Sequence, residues 1–182
     1  MIVRKKIAAV LSAYLWLTLS VVAVSANEYT HQLGDEKINF AWNVDGDKLQ
    51  VKISGKTEGW VGIGFNPSKE MKDANFILGY VKKGEVKITD EFGVETNGHQ
   101  PDRKLGGQDD AVLVGGTEEN GTTVIEFVIN LKSADAYDSS IDVNGDTIVL
   151  LAYGAGRDSF RTKHKYRVEY KVNLATGAAE KM

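Results

Sequence analysis

Few side chains in this sequence are equipped for chemistry, and Met71 is the most conspicuous of them. Apart from the terminal Met182 it is the only methionine after the N-terminal leader described below. It lies in Ser68-Lys69-Glu70-Met71-Lys72-Asp73, among charges rather than on the apolar face of a strand. A methionine so placed either packs a loop or acts as a donor. Its thioether is a soft axial ligand that holds haem iron opposite a histidine and raises the iron's potential. Three histidines are available. His31 is close to the leader and reads as a solvated terminal residue. His99 sits in Asn97-Gly98-His99-Gln100-Pro101-Asp102, where it reads equally as a surface histidine or as a loop-structuring residue hydrogen-bonded through Asp102. His164, in Arg161-Thr162-Lys163-His164-Lys165-Tyr166-Arg167, immediately precedes the last long alternating run.

Other chemistries are excluded or weak. There is no cysteine, which rules out thioether-linked haem, iron–sulfur clusters, thiolate zinc and a cysteine nucleophile. No G-x-S-x-G is present, and no pair of histidines has metal-ligand spacing. Asp45-Gly46-Asp47 is half a calcium loop at best. The remaining acids, Asp109-Asp110 among them, are scattered over loops and read as solvation.

The elements that must position these residues are strands. Leu49, Val51 and Ile53 alternate with Gln50, Lys52 and Ser54, the period-two mark of a half-buried strand. Similar runs occupy Ile38 to Trp42, Trp60 to Phe65, Phe76 to Val81, Val86 to Ile88, Ala111 to Val114, Thr122 to Ile129, Thr147 to Tyr153 and Tyr166 to Val172. Asp45-Gly46, Lys83-Gly84, Asn120-Gly121 and Asn144-Gly145 supply tight turns. About nine short strands without a long 3.6-period segment predict an all-β, antiparallel, immunoglobulin-like β-sandwich with short helical turns in its loops. Asn66-Pro67 predicts one such turn over Pro67 to Met71. Glu91 to Asp110 reads as one long irregular loop, a length that tends to be functional.

Residues 1–26 have the layout of a cleaved secretory signal, the rival reading being an uncleaved membrane anchor, since the apolar run approaches the ~20 residues that span a bilayer. Arg4, Lys5 and Lys6 precede an apolar stretch from Ile7 to Val24 that closes on Val24-Ser25-Ala26. The mature chain is then a single domain over residues 27–182, secreted or periplasmic and without a membrane span. Loss of the three basic residues moves the formal charge from −3 to about −6, which disfavours nucleic acid and anionic lipid and suits a basic redox partner.

Several blocks together resemble one family. Trp60-Val61-Gly62-Ile63-Gly64-Phe65, Met71-Lys72-Asp73-Ala74-Asn75, Gly79-Tyr80 and Val86 to Asp90 form the first half of the pattern. His99 to Asp102, Gly106-Gly107, Gly116, Thr123 to Phe127, Leu151-Ala152-Tyr153-Gly154 and His164-Lys165-Tyr166-Arg167 form the second. In order and spacing they are similar to DOMON domains, including bacterial and archaeal ones, which are related to the cytochrome domain of cellobiose dehydrogenase. Asn130 departs from the pattern, where relatives often carry Pro. The resemblance implies a β-sandwich that binds haem b non-covalently or, in other branches, sugars or other small ligands. It places the axial ligands at Met71 and His164. Some relatives pair the Met with a lysine, and Lys163 and Lys165 flank His164. Trp60, Phe65, Phe76 and Tyr153 are the expected apolar walls, and six-coordinate iron implies electron transfer rather than catalysis. A redox partner protein or a membrane electron-transfer component would complete the pathway.

Overall fold

A computed structural model describes residues 28–182; the expected secretory signal lies outside these described residues. Two antiparallel sheets face each other. The first takes β1 (His31–Gly34), β2 (Ile38–Asp45), β3 (Lys48–Gly55), β9 (Thr122–Asn130) and β8 (Val112–Glu119) in that spatial order. The second has seven strands. Its order is β12 (Ala179–Lys181), β11 (His164–Val172), β10 (Thr147–Gly154), β4 (Val61–Phe65), β5 (Asn75–Lys82), β6 (Glu85–Glu95) and β7 (Gly98–Pro101). The predicted sandwich is therefore present, and among the described residues no helix is long and apolar enough to cross a membrane.

The alternation read in the sequence is what closes the sandwich. Phe40, Trp42, Val51 and Ile53 of the first sheet meet Ile63, Phe65, Ile77 and Leu151 of the second, all buried. Phe40 stacks on Trp42 at 4.5 Å and meets the edge of Phe65 at 6.4 Å. The one polar atom of the Trp42 side chain is satisfied, its indole N–H donating to the Leu174 carbonyl at 2.8 Å. Lys83-Gly84 and Asn120-Gly121 both have positive φ at each residue, the geometry that matches the twist of a two-residue hairpin.

Two local expectations are corrected. Pro67 to Met71 forms no helical turn. Asn66, Glu70 and Asp73 adopt positive φ, which a helix does not contain, and Lys69 and Lys72 form an isolated bridge instead. Nor is Glu91 to Asp110 one irregular loop. β6 runs on to Glu95 and turns back as β7, pairing Gly93 with His99. A single helical turn, α1 (Asp102–Leu105), follows and is capped by Gly106 at φ 98°.

Candidate functional site on the outer face of the seven-stranded sheet

Residues of the second sheet that alternate with its core positions form a separate apolar cluster on the opposite face. Trp60, Ala74, Phe76 and Leu78 are its buried members, with Met71, Leu150, Ala152 and Phe160 packed around them. Gly62 and Gly64 of β4 lie beneath it. A Cβ on Gly64 would sit 2.3 Å from the Phe76 ring, and one on Gly62 would meet Leu78 at 3.0 Å. The missing side chains thus let Phe76 and Leu78 lie flat on the neighbouring strand and form a smooth floor.

Above that floor is a cavity of about 410 Å3, lined by Trp60, Met71, Phe76, His99, His164 and Arg167 among others. It continues into a wider, more polar hollow of about 880 Å3 that adds Glu91, Phe160, Arg161 and Lys163. Loops 66–74 and 155–163 and the β6–β7 hairpin therefore converge, and they bring Met71, His99 and His164 to one cavity.

The Met71 loop is held to β6 by backbone pairing. Met71 N–H donates to the Thr96 carbonyl at 3.2 Å, Asp73 N–H to Gly93 at 2.7 Å, and Gly93 N–H to Ala74 at 2.9 Å. A Cβ on Gly93 would lie 1.7 Å from the Met71 carbonyl oxygen. Only glycine admits this approach, and strand pairing is broken in register between Gly93 and Glu95. Strained left-handed residues on either side of a methionine, Glu70 and Asp73, are the kind of local cost found at ligand clamps.

His164 stands at the rim, where β10 and β11 shift register next to Gly154. The indole N–H of Trp60 donates to the Thr162 hydroxyl at 3.0 Å and to its carbonyl at 3.1 Å. Phe160 packs on Tyr80 with 4.6 Å between ring centroids. Both contacts fold the loop before His164 down onto the sheet. Partial desolvation and the charge of Arg167 hold the imidazole below its ordinary pKa, which favours the neutral, lone-pair-bearing form a metal needs.

His99 is more enclosed. Its Nδ1 pairs with Glu91 Oε2 at 2.5 Å, and its ring lies 5.2 Å from that of Phe76. The expected link through Asp102 is not made: Asp102 is fully buried elsewhere. A carboxylate on one imidazole nitrogen fixes the ring and its tautomer, as it does behind metal-ligating histidines.

Of the residues expected to wall the site, Trp60 and Phe76 do so. Phe65 and Tyr153 do not. They share the parity of Ile63 and Leu151, point into the sandwich and belong to its core. Of the two lysines beside His164, Lys163 lines the wider hollow and Lys165 lines neither space. Glu91 and Arg167 were missed by the sequence reading. The Asn97-Gly98 dipeptide is a hairpin signal that would have paired His99 with β6 and so brought Glu91 within its reach.

The DOMON domain family model matches residues 34–154 of this chain. The chain belongs to the DOMON family. Met71, His99 and Trp60 fall inside the matched region, and His164 lies ten positions beyond it. This DOMON chain is 30% identical over 132 residues to human DBH-like monooxygenase protein 1, a match covering 71% of this chain and 21% of that protein. It is 28% identical over 119 residues to human putative DBH-like monooxygenase protein 2, covering 64% and 23% respectively. The matched segments thus span less than a quarter of those relatives' length. Among solved structures it is similar to the cytochrome b domain of pyranose dehydrogenase from Coprinopsis cinerea. That match has a TM-score of 0.59 and 12% identity, over 77% of this chain and 78% of the other. The cytochrome domain of Myriococcum thermophilum cellobiose dehydrogenase matches with a TM-score of 0.55 and 12% identity, over 79% and 77%. At that identity the likeness concerns the fold.

Proposed function

We propose that this DOMON protein holds haem b non-covalently in the outer-face groove and serves as an exported electron-transfer protein, not an enzyme. The observation that carries the reading is the meeting of Met71 and His164, distant in sequence, over one apolar floor. The side chains present fit the group. Trp60, Phe76 and Leu78 offer the flat apolar surface a macrocycle needs, the Met71 thioether and a largely neutral His164 imidazole would hold its iron, and Arg161, Lys163 and Arg167 offer cations for its carboxylates. When bound, such a group would supply reversible one-electron chemistry.

The chain's own contribution is positional. Gly93 and the β6 backbone set Met71, Trp60 and Phe160 set the loop of His164, and the floor excludes water. Glu91 fixes the orientation of the His99 ring beside the site, and this reading keeps His164 as the nitrogen donor. The acidic formal charge suits a basic redox partner protein or membrane component.

The decisive experiment is an absorption spectrum of the protein exported by a haem-replete host. A sharp Soret band with split α and β bands on reduction is expected. A second reading draws on the polar wider hollow, where Glu91, His99 and Gln100 could hydrogen-bond a sugar or similar small ligand. Colourless protein that binds a carbohydrate in calorimetry would replace the first reading by the second.

A further inference from the structure

On the other side of β6 from Glu91, the inner face carries Asp90, which pairs in register with Ile77. Beside it stand Asp102, the first residue of α1, and Asp138, from the loop between β9 and β10. One oxygen from each of the three carboxylates lies within 4.8 Å of the others. Asp102 is 0% and Asp90 1% exposed. None of the three forms an ion pair with a basic side chain among the described residues. Asp90 Oδ2 accepts from the backbone N–H groups of Asp110 and Ala111 at 3.2 and 3.3 Å. Asp90 Oδ1, both oxygens of Asp102 and Asp138 Oδ2 have no partner.

A fourth, uncharged residue makes the same point independently. Asn75, at the start of β5, is 5% exposed and donates its amide N–H to Asp138, which places its amide against the trio. Its own Oδ1 is buried without a donor. Five buried acceptor oxygens in these four side chains, with nothing donating to them, are a costly arrangement. A cation among the three carboxylates would satisfy an oxygen of each at once, with the Asn75 amide beside it.

We propose that Asp90, Asp102 and Asp138, with the amide oxygen of Asn75, hold a hard divalent cation of the calcium type. All the donors are oxygens, with neither nitrogen nor sulfur among them, which selects calcium or magnesium over zinc or copper. The ion would tie the loop carrying Asp138 to α1 and to the paired strands β5 and β6. In the absence of a cation, burial first and the charges of neighbouring acids after it push Asp90 up to about 8, Asp102 to about 7 and Asp138 to about 6. A bound cation removes that repulsion and lets the carboxylates ionise.

The test is thermal unfolding of the full mature chain after treatment with chelator, then with added Ca2+, Mg2+ or Zn2+, at pH 8. Ca2+ is expected to raise the melting temperature saturably, by about 5–10 °C at a hundredfold excess over Kd, with a smaller response to Mg2+. Asp102→Asn should abolish the response while keeping its metal-free melting point at or above the parent's. Asp138→Asn, in a less buried place, gives the same readout should the first variant fold poorly. A calcium response that survives in both variants overturns the assignment. So does a melting point that ignores every cation but climbs as pH falls from 8 to 5, the behaviour of three acids that share protons. Haem content plays no part in this measurement, so the two proposals stand or fall separately.

Discussion

Under the proposed haem reading, removing the imidazole of His164 takes away the donor that would bind iron in either oxidation state. His164→Ala is therefore expected to lower haem retention by at least the roughly 10–100-fold that loss of a mere supporting partner costs a metal site, read as Soret absorbance kept through gel filtration. Met71→Ala should keep more haem but in a five-coordinate or water-ligated form at a lower potential, because the soft ligand that favours ferrous iron is gone. His99→Ala should leave the low-spin bands in place. A Met71→Ala protein with parental bands and midpoint would reduce Met71 to loop packing. Away from the groove, Asp35 offers a pH test. Burial raises its pKa, but hydrogen bonds from the Tyr166 hydroxyl and the N–H groups of Lys37 and Ile38, with the charge of Lys181, outweigh it and leave the net shift downward. A depressed carboxyl stabilises the fold above its unfolded pKa, about 3.9, and ceases to do so as pH falls through the folded value. Asp35→Asn should thus cost about 1 kcal/mol at pH 7, and urea titrations should show that gap closing below about pH 4. Residue-scale reading of the sequence singled out Met71 and His164 by type, and the fold brings both to one cavity. It failed at Phe65 and Tyr153, where the face is set by parity with Ile63 and Leu151, although the alternation was there to be counted. It failed again at Asp90, Asp102 and Asp138, because nothing local shows that acids far apart in sequence will be buried together.

At the scale of elements, the Met71 loop depends on a residue that never touches the cavity floor. Gly93→Ala would place a Cβ where the Met71 carbonyl now sits. The loop must lift, at a cost of about 1–3 kcal/mol by analogy with overpacking, while the strands keep their pairing. The expected signature is an unchanged β circular dichroism spectrum with the Met71→Ala type of visible spectrum. A Gly93→Ala protein with wild-type bands would show that the loop is held some other way. The long strands were legible because period-two alternation survives in β3 and β9. β1, β7 and β12, at three or four residues each, are too short to show a period, and edge pairing alone defines them. The turn at Pro67 was misread because a Pro after Asn is also how a left-handed turn begins, and the backbone bonds to β6 that decide the matter lie outside any local window.

For the whole molecule, stability rests on the interface between the sheets. Phe40→Ala removes a fully buried ring that touches Trp42 and Phe65, a loss of about 3–5 kcal/mol from a total that for ordinary domains is about 5–15 kcal/mol. Its urea midpoint should fall well below that of any groove variant, and a midpoint near the parent's would show that the core repacks. The same architecture orders events in time. The segment with Met71 lies between β4 and β5, while His164 opens β11, and β10 must insert between β11 and β4 before the two face each other. No growing chain that stops short of β11 possesses the cavity, so no early intermediate can capture a ligand in it. On the proposed reading, cargo would be acquired by a finished sandwich, in whichever compartment that sandwich closes, and delivery there would be a separate cellular task from making the protein.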